Sequence, residues 1–354
     1  MDMLASNMGK EVQIAGARIA GIVACVPKTE ICNDFFHDRH TEADINDVIK
    51  MIGVKKRRWV TDGVTTHDLC LAAAERLLEA LSWDRSSIDA IIFVSQTPDY
   101  VLPATACSLQ AELGLPKSCI AFDVNLGCSG YPYALWLGMT LIQSGAANRV
   151  LLAVGDTISN IIDPNDRSTV FLFGDAGTIT ALESSSNSEG AFFVLGTDGS
   201  GVKNLIVPQG GFKNLTEFSD ERFVGRKMDS LYMDGGEIFN FTLKSVPPLV
   251  NRLFEFSSSV ESDYDYFLFH QANLFMLKHL AKKAKLPLDK VPINIDSYGN
   301  TSSASIPLLM VTDLKEKLLN KNSKLAMFGF GVGYSWAACS ISVGDLKVVE
   351  MVEL

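Results

Sequence analysis

Two short turns at corresponding points of the chain decide the fold: Asn125-Leu-Gly-Cys128-Ser-Gly130 in the first half and Ser297-Tyr-Gly-Asn300-Thr-Ser302 in the second. A strand-like apolar run, Ile120-Ala-Phe-Asp123 or Ile293-Asn-Ile-Asp296, precedes each turn, and an uncharged helical stretch follows it. Cys128 and Asn300 are 172 positions apart (300 − 128), close to half of the 354 residues. The sequence therefore predicts a duplicated unit.

The repeat extends to the segments that flank these turns. Asp89-Ala-Ile-Ile-Phe-Val-Ser-Gln96 corresponds to Asp265-Tyr-Phe-Leu-Phe-His-Gln271, and residues 149–155 correspond to residues 324–329. Alternating strands and helices predict an α/β fold in which helices cover each sheet. Two such halves are expected, because 354 residues exceed the usual size limit of a single hydrophobic core. We place the halves at residues 1–185 and 186–354, with the boundary in the polar loop Ser184-Ser-Ser-Asn-Ser188.

Composition and charge exclude several classes of protein. Hydrophobic residues make up 47% and charged residues 20%, which is typical of a well-packed globular protein. The net charge of −10 argues against nucleic-acid binding. Seven scattered cysteines without a CxxC pair indicate a reducing, cytoplasmic compartment and no zinc site. Residues 124–148 carry no charge, but Asn125, Pro132 and Gln143 favour a buried central helix over a membrane span.

Cys128 is the cysteine whose context favours chemistry. It lies between a predicted strand and the start of a predicted helix, where free N–H groups and the positive end of the helix favour a thiolate. Gly127 and Gly130 allow backbone and ligand to approach closely. The alternative is a small buried hydrophobic residue, as most free cysteines are. The other six cysteines lack this context.

His270 and Asn300 are candidates for the same site. His270 ends a buried strand just before a predicted helix, as a catalytic acid–base or hydrogen-bond donor would, although a hydrogen-bonded core histidine is the alternative. Asn300 occupies the turn of the second half that Cys128 occupies in the first. If a pseudo-twofold axis relates the halves, both turns meet near one centre.

Three other patterns have weaker interpretations. His37 and His40 form an H-x-x-H pair for which no third metal ligand is evident. The run Lys55-Lys56-Arg57-Arg58 is typical of a solvated face, or of a local dock for phosphate in an acidic protein. Gly329-Phe-Gly331-Val-Gly333 lacks the strand–loop–helix order and lysine of a phosphate loop, and we interpret it as a supply of backbone N–H groups.

Four motifs taken together resemble those of the ketoacyl-ACP synthase III family: Asp123-Val-Asn-Leu-Gly-Cys128-Ser-Gly-Tyr, His270-Gln-Ala-Asn273, Tyr298-Gly-Asn300-Thr-Ser-Ser-Ala-Ser305 and Phe330-Gly-Val-Gly333-Tyr-Ser-Trp336. The resemblance extends from about residue 12 to residue 345. It implies a thiolase-like fold, duplicated and five-layered (α/β/α/β/α), in an enzyme that is usually a homodimer. A Cys-His-Asn set resembles that of the enzymes that condense with decarboxylation.

The resemblance also implies a mechanism without metal or redox cofactor. Cys128 would accept an acyl group from a thioester, with the oxyanion held by the backbone N–H groups of Cys128 and Gly333. His270 and Asn300 would stabilise the enolate that a malonyl thioester forms on losing CO₂, in fatty-acid initiation or a specialised pathway. One alternative is an acyltransferase that forms an ester or amide without a C–C bond, and another is a non-catalytic scaffold.

Substrate and partner contacts follow from the same resemblance. Arg167 and Asn273 would contact CoA or pantetheine, and Leu102 of a neighbouring subunit would close the acyl pocket where an aromatic residue is often found. An acyl carrier protein would dock on Phe275, Lys282 and Lys283.

Several positions depart from the family pattern. Asp47 and Met51 stand where the family has a tryptophan and an arginine that contact CoA, and Gly236 stands for an asparagine. Phe275 replaces an arginine and Asn240 a lysine at the carrier-protein dock. Since a stacking face and a cation are lost, we predict poor use of free acyl-CoA and a preference for acyl groups on a carrier protein.

Overall fold

The computed structural model describes residues 8–186, 189–213 and 221–354. In chain order the strands are β1 (Lys10–Ile14), β2 (Ala17–Val26), β3 (Glu30–Cys32), β4 (Lys56–Arg58), β5 (Ala90–Val94), β6 (Ile120–Val124), β7 (Arg149–Asp156), β8 (Ala176–Ser184), β9 (Ala191–Thr197), β10 (Leu205–Ile206), β11 (Tyr232–Met233), β12 (Tyr266–Phe269), β13 (Ser323–Gly331), β14 (Ser335–Val343) and β15 (Val348–Glu353). The α-helices are α1 (Glu42–Ile52), α2 (Thr66–Leu81), α3 (Thr105–Glu112), α4 (Gly130–Gln143), α5 (Gly235–Phe256), α6 (Leu274–Lys283), α7 (Ile295–Tyr298), α8 (Ser305–Asp313) and α9 (Lys315–Asn320).

Two large mixed sheets form the centre of the molecule. The six-stranded sheet has the order β15-β2-β8-β7-β5-β6, in which β5 runs parallel to both β6 and β7. The five-stranded sheet has the order β1-β9-β14-β13-β12, in which β12 and β13 are parallel. Two small sheets, β3-β4 and β10-β11, lie outside them. The related strand order of β5 with β7 and of β12 with β13 supports the predicted duplication.

Three hydrophobic cores separate the layers. One outer core joins α2 and α3 to one face of the six-stranded sheet. The other outer core joins α5 and α6 to the outer face of the five-stranded sheet. The middle core contains α4 and α8 and side chains from both sheets. The order of layers is therefore α/β/α/β/α, as predicted.

The two middle helices are buried because they carry so few charges. Helix α4 has no charged residue, and all of α8 from Ser305 to Val311 is buried. A helix that is apolar on every side has to be enclosed by protein. None of the helices in the described ranges is long and apolar enough to cross a bilayer.

One predicted strand is wrong. The segment Ile293-Asn-Ile-Asp296 does not pair with a neighbouring strand, and its last two residues begin α7. The N–H of Asn294 donates to the side-chain oxygen of Gln271 (3.2 Å), and Asn294 Nδ2 donates to Thr312 Oγ1 (2.9 Å). Because the Gln271 side chain binds the backbone N–H of Asn294 and Thr312 holds its side chain, the segment does not extend the sheet, and β12 remains an edge strand.

The halves exchange their terminal strands. Strand β1 pairs with β9 in the five-stranded sheet, whereas β15 pairs with β2 in the six-stranded sheet. The proposed boundary after residue 185 lies in the loop between β8 and β9, of which residues 187 and 188 fall outside the described residues. The division into 1–185 and 186–354 stays a prediction.

Candidate active site

Cys128 lies in the turn between β6 and α4 and is 7% exposed. The end of β13 passes directly against this turn. A Cβ atom on Gly331 would lie 2.7 Å from the Cβ of Cys128, and one on Gly329 would lie 2.9 Å from its carbonyl oxygen. Only glycine fits at these two positions, so the glycines of β13 allow the second half to approach the cysteine closely.

The surroundings of Cys128 favour its neutral form. Burial raises the pKa of the thiol to about 11, and the nearby Asp156 carboxylate acts in the same direction. The Ser302 hydroxyl, 4.0 Å from Sγ, and the backbone N–H of Val332 oppose this shift. The prediction of a thiolate is therefore wrong, because desolvation outweighs the donors at the start of the helix.

His270 follows the last residue of β12 and is 2% exposed. Its Nδ1 lies 2.9 Å from Ser305 Oγ, and its ring packs edge-on against Phe330. Burial lowers the pKa of the imidazole to about 3, against a hydrogen bond to the backbone of Ser302. The ring is therefore neutral at physiological pH and is held by the hydroxyl of Ser305.

The turn around Asn300 is bound to the first half of the chain. The N–H of Asn300 donates to the carbonyl of Leu172 (2.9 Å), and its carbonyl accepts the N–H of Gly174 (3.1 Å). Asn300 Oδ1 accepts the N–H of Ser302 (2.9 Å), while Nδ2 has only a long contact of 3.5 Å with the carbonyl of Ala272. The oxygen of the amide is thus occupied, and its NH₂ group remains available.

Two cavities meet at Cys128. A smaller one, about 70 Å³, is lined by Cys128, His270 and Asn300 together with Asn273. A larger one, about 280 Å³, is also lined by Cys128, together with Gly333, Ser302 and mostly apolar side chains. The structure thus brings the three predicted catalytic side chains to one place, with Gly333 and Asn273 beside them.

The remaining predicted residues lie away from these cavities. Arg167 forms an ion pair with Asp44 of α1 (2.8 Å). Leu102 is 77% exposed, in a loop that does not line either cavity. Phe275 is half-exposed and stacks on Phe239, with ring centres 5.7 Å apart. Two further exposed residues, Lys282 and Lys283, end α6.

The basic run at residues 55–58 is only partly a solvated face, since the side chain of Lys55 is 77% exposed whereas Arg57 is enclosed. Arg57 is completely buried and donates to the carbonyls of Ile31 (3.2 Å) and Phe171 (2.7 Å). The other three cations each pair with a carboxylate: Lys55 with Asp296 (3.1 Å), Lys56 with Glu30 (2.9 Å) and Arg58 with Glu353 (3.2 Å). The run therefore anchors β4 in the fold.

Among the residues that the structure describes, His37 and His40 have no third metal ligand beside them. His40 Nε2 lies 3.1 Å from the carbonyl oxygen of Pro164. In the three described ranges, no group of three His, Cys, Asp or Glu side chains is arranged to hold a metal ion.

Sequence reasoning missed a buried carboxylate below the site. Asp156 ends β7 and is completely buried. It accepts hydrogen bonds from the N–H of Gln96 (2.7 Å) and from Ser303 Oγ (2.7 Å), so it joins the first half to the turn that follows Asn300. Burial raises its pKa, and these hydrogen bonds oppose the rise. A charged residue at the end of an otherwise apolar strand was the available signal.

Two family models match the chain. One, described as 3-oxoacyl-[acyl-carrier-protein (ACP)] synthase III, matches residues 122–199, and the other, for the C-terminal part of that enzyme, matches residues 255–343. The beta-ketoacyl-[acyl-carrier-protein] synthase III of Koribacter versatilis is 32% identical over 325 residues, which cover 91% of this chain and 96% of the relative. The chain belongs to the 3-oxoacyl-[acyl-carrier-protein] synthase III family.

Solved structures of similar proteins confirm the fold. A 3-oxoacyl-(acyl-carrier protein) synthase from Burkholderia xenovorans LB400 is 60% identical, with a TM-score of 0.97 over 98% of this chain and 99% of that one. A second structure, a 3-oxoacyl-(acyl-carrier-protein) synthase III, is 38% identical, with a TM-score of 0.86 over 92% and 99% of the two chains. The predicted membership of the synthase III family and the thiolase-like, five-layered fold are both confirmed.

Proposed function

We propose that the enzyme transfers an acyl group from a thioester to Cys128 and then joins it to a malonyl thioester with loss of CO₂. The convergence of Cys128, His270 and Asn300 on one cavity supports this most directly. It combines a nucleophile with two neutral donors, and neutral donors suit an enolate because they stabilise its charge as the charge forms.

Acylation starts from a neutral thiol, since the pKa of Cys128 is raised to about 11. Sγ attacks the thioester carbon, the C–S bond of the donor breaks, and the donor leaves as a thiol with the proton of Cys128. The backbone N–H groups of Cys128 and Gly333 hold the oxyanion of the intermediate. Gly333 lines the larger cavity beside Cys128, which fits this role.

Condensation uses the neutral imidazole. Ser305 Oγ accepts the N–H of Gln271 (3.4 Å) and lies 2.9 Å from Nδ1 of His270; the tautomer that the proposal requires has Ser305 donating to Nδ1 and the ring proton on Nε2. Nε2 and the free NH₂ group of Asn300 donate to the malonyl thioester oxygen. Loss of CO₂ leaves a carbanion that attacks the acyl carbon. Cleavage of the C–S bond to Cys128 releases a 3-oxoacyl thioester, and the Cys128 sulfur takes a proton from solvent to regenerate the thiol.

Two measurements on one sample test this function. Intact-mass analysis with a panel of acyl thioesters detects the acyl-enzyme, and CO₂ release from a malonyl thioester detects condensation. Cys128→Ala should abolish the adduct, whereas Cys107→Ala, at an exposed cysteine, should keep it. An adduct without CO₂ release would indicate acyl transfer to an alcohol or amine instead. A stable adduct on Cys107 or Cys119 would overturn the assignment of the nucleophile.

We also propose that the active enzyme is a homodimer. Leu102 and its neighbours Tyr100 and Val101 are all more than 60% exposed, an arrangement that suits burial against a second subunit. Leu102 of one subunit would then close the larger cavity of the other.

The donor is proposed to be an acyl carrier protein rather than free CoA. Asp47 and Met51 are exposed on α1 and offer neither an aromatic face nor a cation, and Arg167 is paired with Asp44. Asn273 caps α6 through Oδ1, which accepts the N–H of Met276 (2.7 Å), so its NH₂ group is free for pantetheine. The Phe275 surface with Lys282 and Lys283 offers a partly apolar, basic dock.

A further inference from the structure

One wall of the larger cavity beside Cys128 is polar. Most of the cavity suits an alkyl chain, with apolar side chains that include Ile158, Ile161, Phe173, Val202 and Leu231. The polar wall consists of Gln96 and Asn125, whose side-chain amides bond to each other through Gln96 Nε2 and Asn125 Oδ1 (3.1 Å).

This bond leaves a matched donor and acceptor unused. Each amide has one carbonyl oxygen and one NH₂ group, and the bond between them occupies one of each. Within the described part of the chain, Gln96 Oε1 and Asn125 Nδ2 have no further hydrogen-bond partner. If both side-chain amides were flipped, so that their oxygen and nitrogen atoms exchanged places, the pair would still present one free carbonyl oxygen and one free NH₂ group. The result therefore does not depend on which way the amides point.

The amide pair is close to the nucleophile. Gln96 follows β5 and Asn125 follows β6, and these strands are parallel neighbours. Gln96 Oε1 lies 2.4 Å from the position that a Cβ on Gly127 would take, next to Cys128. Since consecutive Cα atoms are about 3.8 Å apart, the free carbonyl oxygen lies within about 10 Å of the thiol. A substituent on a short or medium acyl chain can reach it.

We propose that the acyl group placed on Cys128 carries a hydroxyl group, which Gln96 and Asn125 recognise together. A hydroxyl donates to the free carbonyl oxygen and accepts from the free NH₂ group, whereas a ketone or ether can only accept. An unsubstituted chain would cover both amide groups and leave them without hydrogen-bond partners. Because unpaired polar groups are costly to bury, the site would strongly disfavour such a chain. This inference rests on the proposed acylation of Cys128.

The test compares matched acyl thioesters. The wild-type enzyme is given hexanoyl, 3-hydroxyhexanoyl or 6-hydroxyhexanoyl thioesters of one carrier, and the second-order rate of Cys128 acylation is followed by intact mass. At least one hydroxyacyl donor should react about 10- to 100-fold faster than the hexanoyl donor, because two hydrogen bonds distinguish them.

Variants of similar shape show whether the amide pair causes the preference. Gln96→Met and Asn125→Leu keep the side-chain volume but remove the donors and acceptors, and each should bring the rate ratio close to one. Asn322→Leu is the matched control, because Asn322 is far from the cavity. It lies just before β13, whereas Gly331, at the end of β13 that contacts Cys128, is about 26 Å further along the strand. It should leave the ratio unchanged. Thermal melting shows whether each variant is folded, and exposed Asn125 provides a variant with little risk to the core.

Each outcome has a distinct meaning. A hexanoyl donor that reacts as fast as both hydroxyacyl donors would overturn the inference and leave the proposed function standing. A hydroxyacyl preference that persists in both amide variants would show that other residues read the hydroxyl. If no thioester acylates Cys128, the proposed function itself fails, and the inference fails with it.

Discussion

The substitution Gly331→Ala tests whether the close approach of β13 positions the nucleophile. The new Cβ would lie 2.7 Å from the Cβ and 2.8 Å from the Sγ of Cys128. Carbon atoms in contact normally lie about 3.5–4.0 Å apart, so the cysteine has to move by about 1 Å. A displacement of that size in a reacting group can lower its rate by about 10²-fold. We therefore expect Cys128 acylation to slow by about that factor.

The assay is the time course of the acyl-enzyme by intact mass, with one thioester donor in excess. Gly199→Ala is the control, since no atom lies within 4 Å of its added Cβ. It should acylate like the wild type. Thermal melting separates a displaced cysteine from a misfolded protein. A folded Gly331→Ala enzyme with a wild-type acylation rate would show that β13 does not position Cys128.

Three further outcomes are expected. Asn300→Ala should lower CO₂ release from a malonyl thioester by about 10²–10³-fold while Cys128 acylation changes little, because the amide acts on the enolate. An equal loss in both half-reactions would mean that Asn300 only supports the turn. The rate of CO₂ release should stay flat from pH 8 to pH 5, because His270, with a pKa of about 3, is neutral throughout this range; a fall centred near pH 6.5 would contradict the neutral imidazole. Phe275→Ala should lower kcat/KM for an acyl carrier protein donor and not for the same acyl group on CoA; wild-type kcat/KM that is higher with CoA would refute the preference for a carrier.

The main elements of the fold could be predicted from local patterns. Apolar runs that end in polar residues gave β5, β6, β7, β12 and β13, and the uncharged stretches gave α4 and α8. The predicted strand at residues 293–296 failed because Gln271 and Thr312, distant in sequence, bind Asn294. Arg57 likewise looked solvated in a basic run, yet backbone carbonyls from two other segments enclose it. Contacts between residues that are far apart in the chain leave no recognisable pattern in the sequence next to either residue.

The site was predictable where a turn follows a strand. Cys128 and His270 were predictable in this way, whereas Asn300 follows α7 and was placed after a strand that does not form; the structure brings all three to one cavity. The protonation state of Cys128 was not predictable, since it depends on burial by the second half and on Asp156. Gln96 and Asn125 could have been found, because they lie at or just after the ends of two strands that the sequence predicts. Their pairing needed the order of those strands, which the sequence does not contain.

The exchange of terminal strands links the order of synthesis to the order of assembly. The partner of residues 10–14, β9, is made about 180 residues after them, and the outer edge of β2 pairs with residues 348–353. Leu354 extends this pairing, since its N–H donates to the carbonyl of Val26 (3.1 Å) and its carbonyl accepts the N–H of Lys28 (2.8 Å). An unpaired strand edge is a site for aggregation. The nascent first half therefore keeps an open edge on β2 until residues 348–353 have left the ribosome.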